Sequence, residues 1–318
     1  MTKFLSTAAL ALPLAFGANA ALADEPLQVV VTTSMIGDAV EQVAGDRAEV
    51  VALMGPGVDP HAYRQTRSDI ANLVAADLVL WHGLYLEAQM EDFLLDLAER
   101  KPVVAVGEGV EADQLLSHDD YDGRFDPHVW MDPELWPQVV LTVRDSLIEL
   151  DPEGAAAYRE NADMHLAEIE ELADYASQVL GSVPEDQRVL VSAHDAFNYF
   201  GDAYGFEVVG IQGISTEAEA GLRRIEELVD LIVEREISAV FVESSVSDRN
   251  IRALIEGAAA RGHDLSIGGQ LFSDAMGQPD SYEGTYIGMI DHNATSIARA
   301  LGGEAPELGM QGRLGAGS

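Results

Sequence analysis

Cysteine is absent from all 318 residues. Its absence excludes a disulfide framework, a thiolate metal site and a catalytic thiol, and leaves nothing to carry a lipid at a signal-peptide junction. Positive charge is scarce. Eighteen Lys and Arg face 55 Asp and Glu, the formal net charge is −37, and Lys3 and Lys101 are the only lysines. Such a surface repels nucleic acid and anionic membranes. The acidity fits a saline milieu better than a cation-gathering device, because ionic strength screens self-repulsion while a diffuse field selects no particular ion. Beyond the N-terminus no apolar run is long enough to cross a bilayer. Two enzyme signatures are also missing, the His-Glu-x-x-His helix and the Gly-x-Ser-x-Gly elbow.

The N-terminus reads as a cleaved secretory signal, residues 1–23. Lys3 supplies its positive end, Phe4 to Phe16 an apolar stretch, and Ala21-Leu22-Ala23 a small-residue cleavage site, with Ala18-Asn19-Ala20 an equally legal one. The stretch is too short for a comfortable membrane anchor. With no cysteine to lipidate, the expected location is the periplasm.

From Leu27 the pattern alternates strand and helix. Strands are expected at 27–33, 48–53, 77–81 and 103–106, with helices at 35–44, 66–75 and 87–99, which implies a parallel sheet covered on both faces. The pattern then changes to a helix at 136–150 and an unusually long one at 153–180. Tyr158, Ala162, Leu166, Ile169, Leu172, Ala176 and Val179 form one apolar stripe along that second helix. Alternation resumes with strands at 188–192, 206–211, 239–243 and 264–267 and helices at 220–236, 248–261 and 282–301. The expected fold is α/β: an N-terminal lobe (24–150), a stiff connecting helix (151–182), a C-terminal lobe (183–302), and a Gly-rich tail (303–318) that frays.

Four metal-capable side chains sit far apart in short loop motifs: His61, His128, His194 and Asp274. Three imidazoles and one carboxylate make a closed shell suited to Zn²⁺ or a neighbouring first-row divalent ion. His61 and His194 follow strands closely, and Asp274 follows the last one. Ligands of open α/β sheets bind outside the carboxyl ends of the strands. Each lobe contributes two donors, which places the site in the cleft between them. Any one of these residues alone reads as a solvated loop histidine or, for Asp274, a helix cap.

The blocks Gly57-x-Asp59-Pro60-His61-x-Tyr63, Asp126-Pro127-His128-x-Trp130-Met131-Asp132-Pro133, Ser192-x-His194-Asp195-Ala196-Phe197, Gly213-Ile214-Ser215-Thr216-Glu217-Ala218-Glu219 and Phe272-Ser273-Asp274-Ala275-Met276-Gly277 occur in one order over nearly the whole mature chain. In this they resemble the metal-specific solute-binding proteins of ABC importers (cluster A-I, or family 9), of the TroA-like zinc/manganese type. The resemblance implies that His61, His128, His194 and Asp274 are the ligands of one transported Zn²⁺ or Mn²⁺. It also implies two lobes on one rigid helix with small opening motions, and delivery of the ion to an inner-membrane permease driven by a cytoplasmic ATPase. The chain is expected to act as a monomer.

Two departures bear on the metal. The stretch from Glu111 to Asp126 is short and acidic, with His118 its only histidine, where many zinc members carry a long His-rich loop. His194 stands where many manganese or iron members place Glu. The donor set itself tilts towards zinc, since Mn²⁺ lies lowest in the divalent affinity series.

Around the shell, Asp195 and Asp132 are candidates to orient a ligand histidine, Asp132 being the better helix cap. His82 ends a strand on the ligand side and reads as a structural or entrance residue. His118 sits in a solvated acidic loop, and His165, His263 and His292 receive no function. The rival readings are a zinc hydrolase, a surface adhesin and a periplasmic metal buffer without a transporter. A hydrolase needs an open coordination position that four protein ligands do not leave.

Overall fold

The computed structural model describes residues 25–117 and 123–315. The expected signal peptide and His118 lie outside the described residues.

The first half is built on a parallel sheet ordered β2-β1-β3-β4. Its strands are β1 (Leu27–Val31), β2 (Ala48–Ala52), β3 (Leu78–Trp81) and β4 (Val103–Ala105). Central parallel strands are covered on both faces and so read as apolar runs. Val29, Val31, Leu78 and Leu80 face α1 (Ser34–Ala44), while Val30, Val79 and Trp81 face Leu73 of α2 (Arg67–Ala75) and Leu94 and Leu97 of α3 (Glu91–Ala98). A capping box starts α2, with Thr66 and Asp69 each accepting the other's backbone N–H.

Helix α3 starts four residues later than the expected Glu87. Gly83, Leu84 and Tyr85 all hold positive φ (79°, 52° and 67°), a left-handed turn that interrupts the helix. The buried Glu87 carboxylate accepts the backbone N–H groups of His82 and Gly83 and the Thr32 hydroxyl, so it faces inward instead of lying on a helix surface.

Two helices follow, α4 (Trp136–Leu150) and the 27-residue α5 (Ala155–Gly181). The stripe on α5 is buried at Tyr158, Ala162, Ile169, Leu172, Ala176 and Val179 and half-buried at Leu166. It packs on α1 and α4 of the first half and on α9 (Tyr286–Ala300) of the second. Each large apolar side chain fully buried there contributes about 1.5–3 kcal/mol, which ties both lobes to one spine.

In the second half β5 (Val189–Ser192) pairs in parallel with β6 (Glu207–Gly210), and β7 (Ala239–Glu243) with β8 (Ser266–Leu271). β5 lies beside β7, so the spatial order β6-β5-β7-β8 echoes the first half. Helices α7 (Leu222–Glu234) and α8 (Arg249–Ala260) cover one face of these strands. A short helix, α6 (Asn198–Tyr204), appears where none was expected. β8 runs past the expected end at Ile267 because Gly268 forms a bulge: Val240 pairs with Ile267 and Phe241 with Gly269. A Cβ at Gly268 would lie 2.9 Å from the Phe241 ring, a close approach that needs glycine.

The segment after residue 302, expected to fray, returns over α9 as far as it is described. Leu314 is buried, and the Met310 N–H donates to the Asp291 carboxylate at 3.0 Å. Among the described residues no helix is long and apolar enough to cross a membrane. The architecture is two α/β lobes with parallel sheets flanked by helices, joined along α5.

Candidate metal centre

The four predicted donors meet. One ligand atom from each of His61, His128, His194 and Asp274 lies within 4.8 Å of the other three. All four residues are at most 2% exposed. The loops after β2, β5 and β8 deliver His61, His194 and Asp274, and the Asp126-Pro127 turn delivers His128 just ahead of a 3₁₀ turn at Val129–Met131. The His194 Nε2 lies 3.2 Å from Asp274 Oδ2, the His128 Nε2 3.5 Å from Oδ1, and the His61 Nε2 3.3 Å from the His128 Nε2.

Two histidines are oriented from behind by carboxylates. His128 donates Nδ1–H to Asp126 Oδ1 at 2.6 Å, and its backbone N–H reaches the same oxygen at 3.0 Å. His194 donates Nδ1–H to Glu243 Oε2 at 2.5 Å and its backbone N–H to Oε1 at 2.9 Å. Both bonds turn Nε2 towards the common centre, the arrangement usual for metal-ligating imidazoles. His61 has no such partner on its Nδ1.

Polar bonds across the lobes hold the loops together. Trp130 Nε1–H donates to the Ser273 carbonyl at 2.8 Å and Tyr286 O–H to the Trp130 carbonyl at 2.9 Å, joining the His128 loop to the Asp274 loop and to the start of α9. His82 is buried and stays out of the cluster. Its Nε2–H donates to the Pro127 carbonyl at 2.7 Å and its ring stands edge-on to Trp130, so it supports the turn carrying His128. Gly107 is required there, since a Cβ would sit 2.8 Å from the His82 Nε2.

The electrostatics follow from burial and pairing. Burial lowers the His61 imidazolium to about 3. Burial also disfavours charge on His128, but Asp126 and Asp274 outweigh it and push that group up to about 9. His194 is raised well above its ordinary value, Asp274 and Glu243 overcoming the same penalty. Burial alone would raise Asp274; His194 and His128 hold it well below the usual carboxylate range. Both Asp274 oxygens and the His194 Nε2 make no hydrogen bond, although they are fully enclosed. An unsatisfied buried polar group costs about 1–3 kcal/mol. Three such atoms converging on one point with two further imidazoles fit a soft-to-borderline divalent cation.

Of the two flanking candidates, Asp132 takes a backbone-capping role, the one for which it was the better fit, and Asp195 is not the partner of the His194 ring. The partner of His194 is Glu243, not the adjacent Asp195, and Asp132 accepts the Glu134 N–H at 2.8 Å in the turn ahead of α4. Sequence reasoning assigned no orienting role to Asp126 and missed Glu243. The one visible signal of Glu243 is an acidic residue closing an otherwise apolar strand, Ala-Val-Phe-Val-Glu.

A closed donor set between two α/β lobes on a rigid helix defines a solute-binding protein whose solute is a cation. The chain belongs to the family described as zinc-uptake complex component A, periplasmic, whose profile matches residues 29–300. It is 47% identical over 279 residues to the manganese-binding lipoprotein MntA of Bacillus subtilis (strain 168), covering 88% of this chain and 91% of that one. It is 44% identical over 287 residues to the zinc-binding protein TroA of Treponema pallidum (strain Nichols), covering 90% and 92%. The solved structure of the periplasmic zinc-binding protein TroA from Treponema pallidum superposes with a TM-score of 0.85 at 43% identity, over 87% of this chain and 99% of that one. The family is one of uptake-complex components, not of enzymes.

Proposed function

We propose that His61, His128, His194 and Asp274 bind one divalent transition-metal ion as cargo, which the protein captures in the periplasm and hands to an ABC permease with a cytoplasmic ATPase. The observation that carries this reading is the enclosed convergence of four donor side chains at which both Asp274 oxygens and the His194 Nε2 have no hydrogen-bond partner. Four protein ligands fill a tetrahedral shell and leave no position for a reactive water, which suits carriage and not hydrolysis. Relatives named for zinc and for manganese support the cation class.

Within that class the proposed cargo is Zn²⁺ ahead of Mn²⁺. Three imidazole nitrogens and one carboxylate oxygen favour zinc over manganese in intrinsic affinity. The MntA relative is named a lipoprotein, whereas this chain has no cysteine; we place it free in the periplasm as a monomer.

The deciding experiment strips the protein of metal and offers Zn²⁺ and Mn²⁺ in competition, with occupancy read by elemental analysis. One retained Zn²⁺ per chain in excess Mn²⁺ supports the proposal. Comparable Mn²⁺ retention reassigns the cargo, and binding of neither at one per chain overturns the site. Failure of any permease to co-purify with or be stimulated by the loaded protein would favour a metal buffer.

A further inference from the structure

Two Asp-Pro-His turns serve the site, and the structure holds them in related ways. In each, the aspartate accepts the backbone N–H of its own histidine through Oδ1: Asp59 from His61 at 2.9 Å and Asp126 from His128 at 3.0 Å. In each, the Oδ2 accepts a hydrogen bond from the other half of the chain. Thr216 O–H donates to Asp59 at 2.5 Å, and Asn198 Nδ2–H donates to Asp126 at 2.9 Å.

The two clasps differ in how much else supports them. The His128 ring is itself bonded to Asp126, and Tyr199 O–H donates to the Asp126 carbonyl at 2.8 Å. The His61 ring has an unpartnered Nδ1 although the residue is 1% exposed. Its placement therefore depends on the backbone of its turn, and so on Asp59. Thr216 in turn sits on the segment 213–219, which is pinned beneath by Ile214 and by Gln212 donating to the Thr216 and Ala218 carbonyls, with Glu217, Ala218 and Glu219 exposed. An exposed loop tip carries the sole hydrogen bond from the opposite lobe to the turn of the least supported histidine among the described residues.

We infer that Thr216 is a positioning residue for metal retention, acting through Asp59 on His61, and that parting of this clasp is the step that frees the ion. The inference rests on the proposed four-donor site. His61 is then the first ligand to leave, because no partner on Nδ1 holds its ring from behind once Asp59 lets its turn move, while His128 and His194 remain held by carboxylates. Losing an outer partner of a metal ligand typically changes metal affinity by about 10–100-fold, and here the change falls on dissociation.

The test is a chelator chase of the Zn²⁺-loaded full chain. Thr216→Val is expected to keep one Zn²⁺ per chain and the thermal stability of the metal-free protein, while Zn²⁺ dissociates roughly tenfold faster. Thr216→Ser restores the slow rate by returning the hydroxyl, which a purely steric role would not require. Thr216→Ala covers the case in which valine does not fit. Asn198→Ala, at the better-supported clasp, is expected to have the smaller effect. Unchanged dissociation in both Thr216→Val and Thr216→Ala overturns the inference, as does a larger effect from Asn198→Ala. Failure of the unmutated protein to bind one Zn²⁺ instead overturns the site itself.

Discussion

Glu243, the last residue of β7, receives both the ring Nδ1–H and the backbone N–H of His194, 49 residues away. The carboxylate thereby sets the tautomer of the imidazole and aims its Nε2 at Asp274. Glu243→Gln keeps the size but offers one acceptor fewer. It is expected to weaken Zn²⁺ binding by about 10–100-fold, while Asp195→Asn leaves it nearly unchanged. Competition against a chelating dye measures both, and equal affinities for Glu243→Gln and the unmutated protein would remove Glu243 from this role.

The proton balance of binding is uneven among the ligands. His61, lowered to about 3, is already neutral at pH 7, whereas His128 and His194 are held protonated in the metal-free protein. Metal must displace those two protons, so apparent affinity rises with pH from neutrality upward, through the value of about 9 for His128. The metal-free fold responds in the opposite sense. Its two raised histidines contribute stability that is full below the unfolded value of about 6.5 and is lost as pH rises through the folded value. Calorimetry of Zn²⁺ binding in buffers of different ionisation enthalpy, at pH 7, reports the protons released; a result of none contradicts this charge distribution.

Removing a ligand outright should exceed either effect. His61→Ala and His194→Ala are each expected to weaken Zn²⁺ binding by more than about a hundredfold, the upper range for outer partners, with far-ultraviolet circular dichroism unchanged. Retained affinity and stoichiometry in both variants would mean the ion binds elsewhere.

Metal removal should soften the whole protein, because the site draws on both lobes. At free Zn²⁺ one hundred times its dissociation constant, mass action adds about 2.7 kcal/mol of stability. Thermal unfolding with and without chelator is therefore expected to show a drop of several degrees on chelation. An unchanged midpoint would indicate that the ion is not bound by the folded state.

Helix α5 offers a test remote from the metal. Ile169→Ala, at a fully buried position facing the common core, is expected to cost about 2–5 kcal/mol. Denaturant unfolding reads this directly, and a loss below about 1 kcal/mol would argue that the spine is looser than its packing indicates.

What could be read in the chain before folding was whatever is local or chemical in kind. Strand and helix periodicities placed most elements within a few residues, since burial on a sheet or helix face imposes a repeat on the residues themselves. The stripe from Tyr158 to Val179 announced α5, and the donor types of His61, His128, His194 and Asp274 limited the chemistry to Zn²⁺ or a neighbouring first-row divalent ion. The interruption before α3, the bulge at Gly268 and the tail's return over α9 were not legible, because each answers to a contact made elsewhere: the amides that Glu87 accepts, the ring of Phe241, the carboxylate of Asp291.

The outer partners of the site belong to the same class. Composition and spacing pointed to the neighbouring Asp195, but packing supplied Glu243, and it alone decided that Thr216 and Asn198 should hold the two Asp-Pro-His turns. By itself the sequence determined which atoms could bind an ion and the elements that carry them. Only the tertiary structure decided which partner aims each ligand, because a hydrogen bond spanning 157 residues, as between Thr216 and Asp59, is selected by distance in space and leaves no period along the chain.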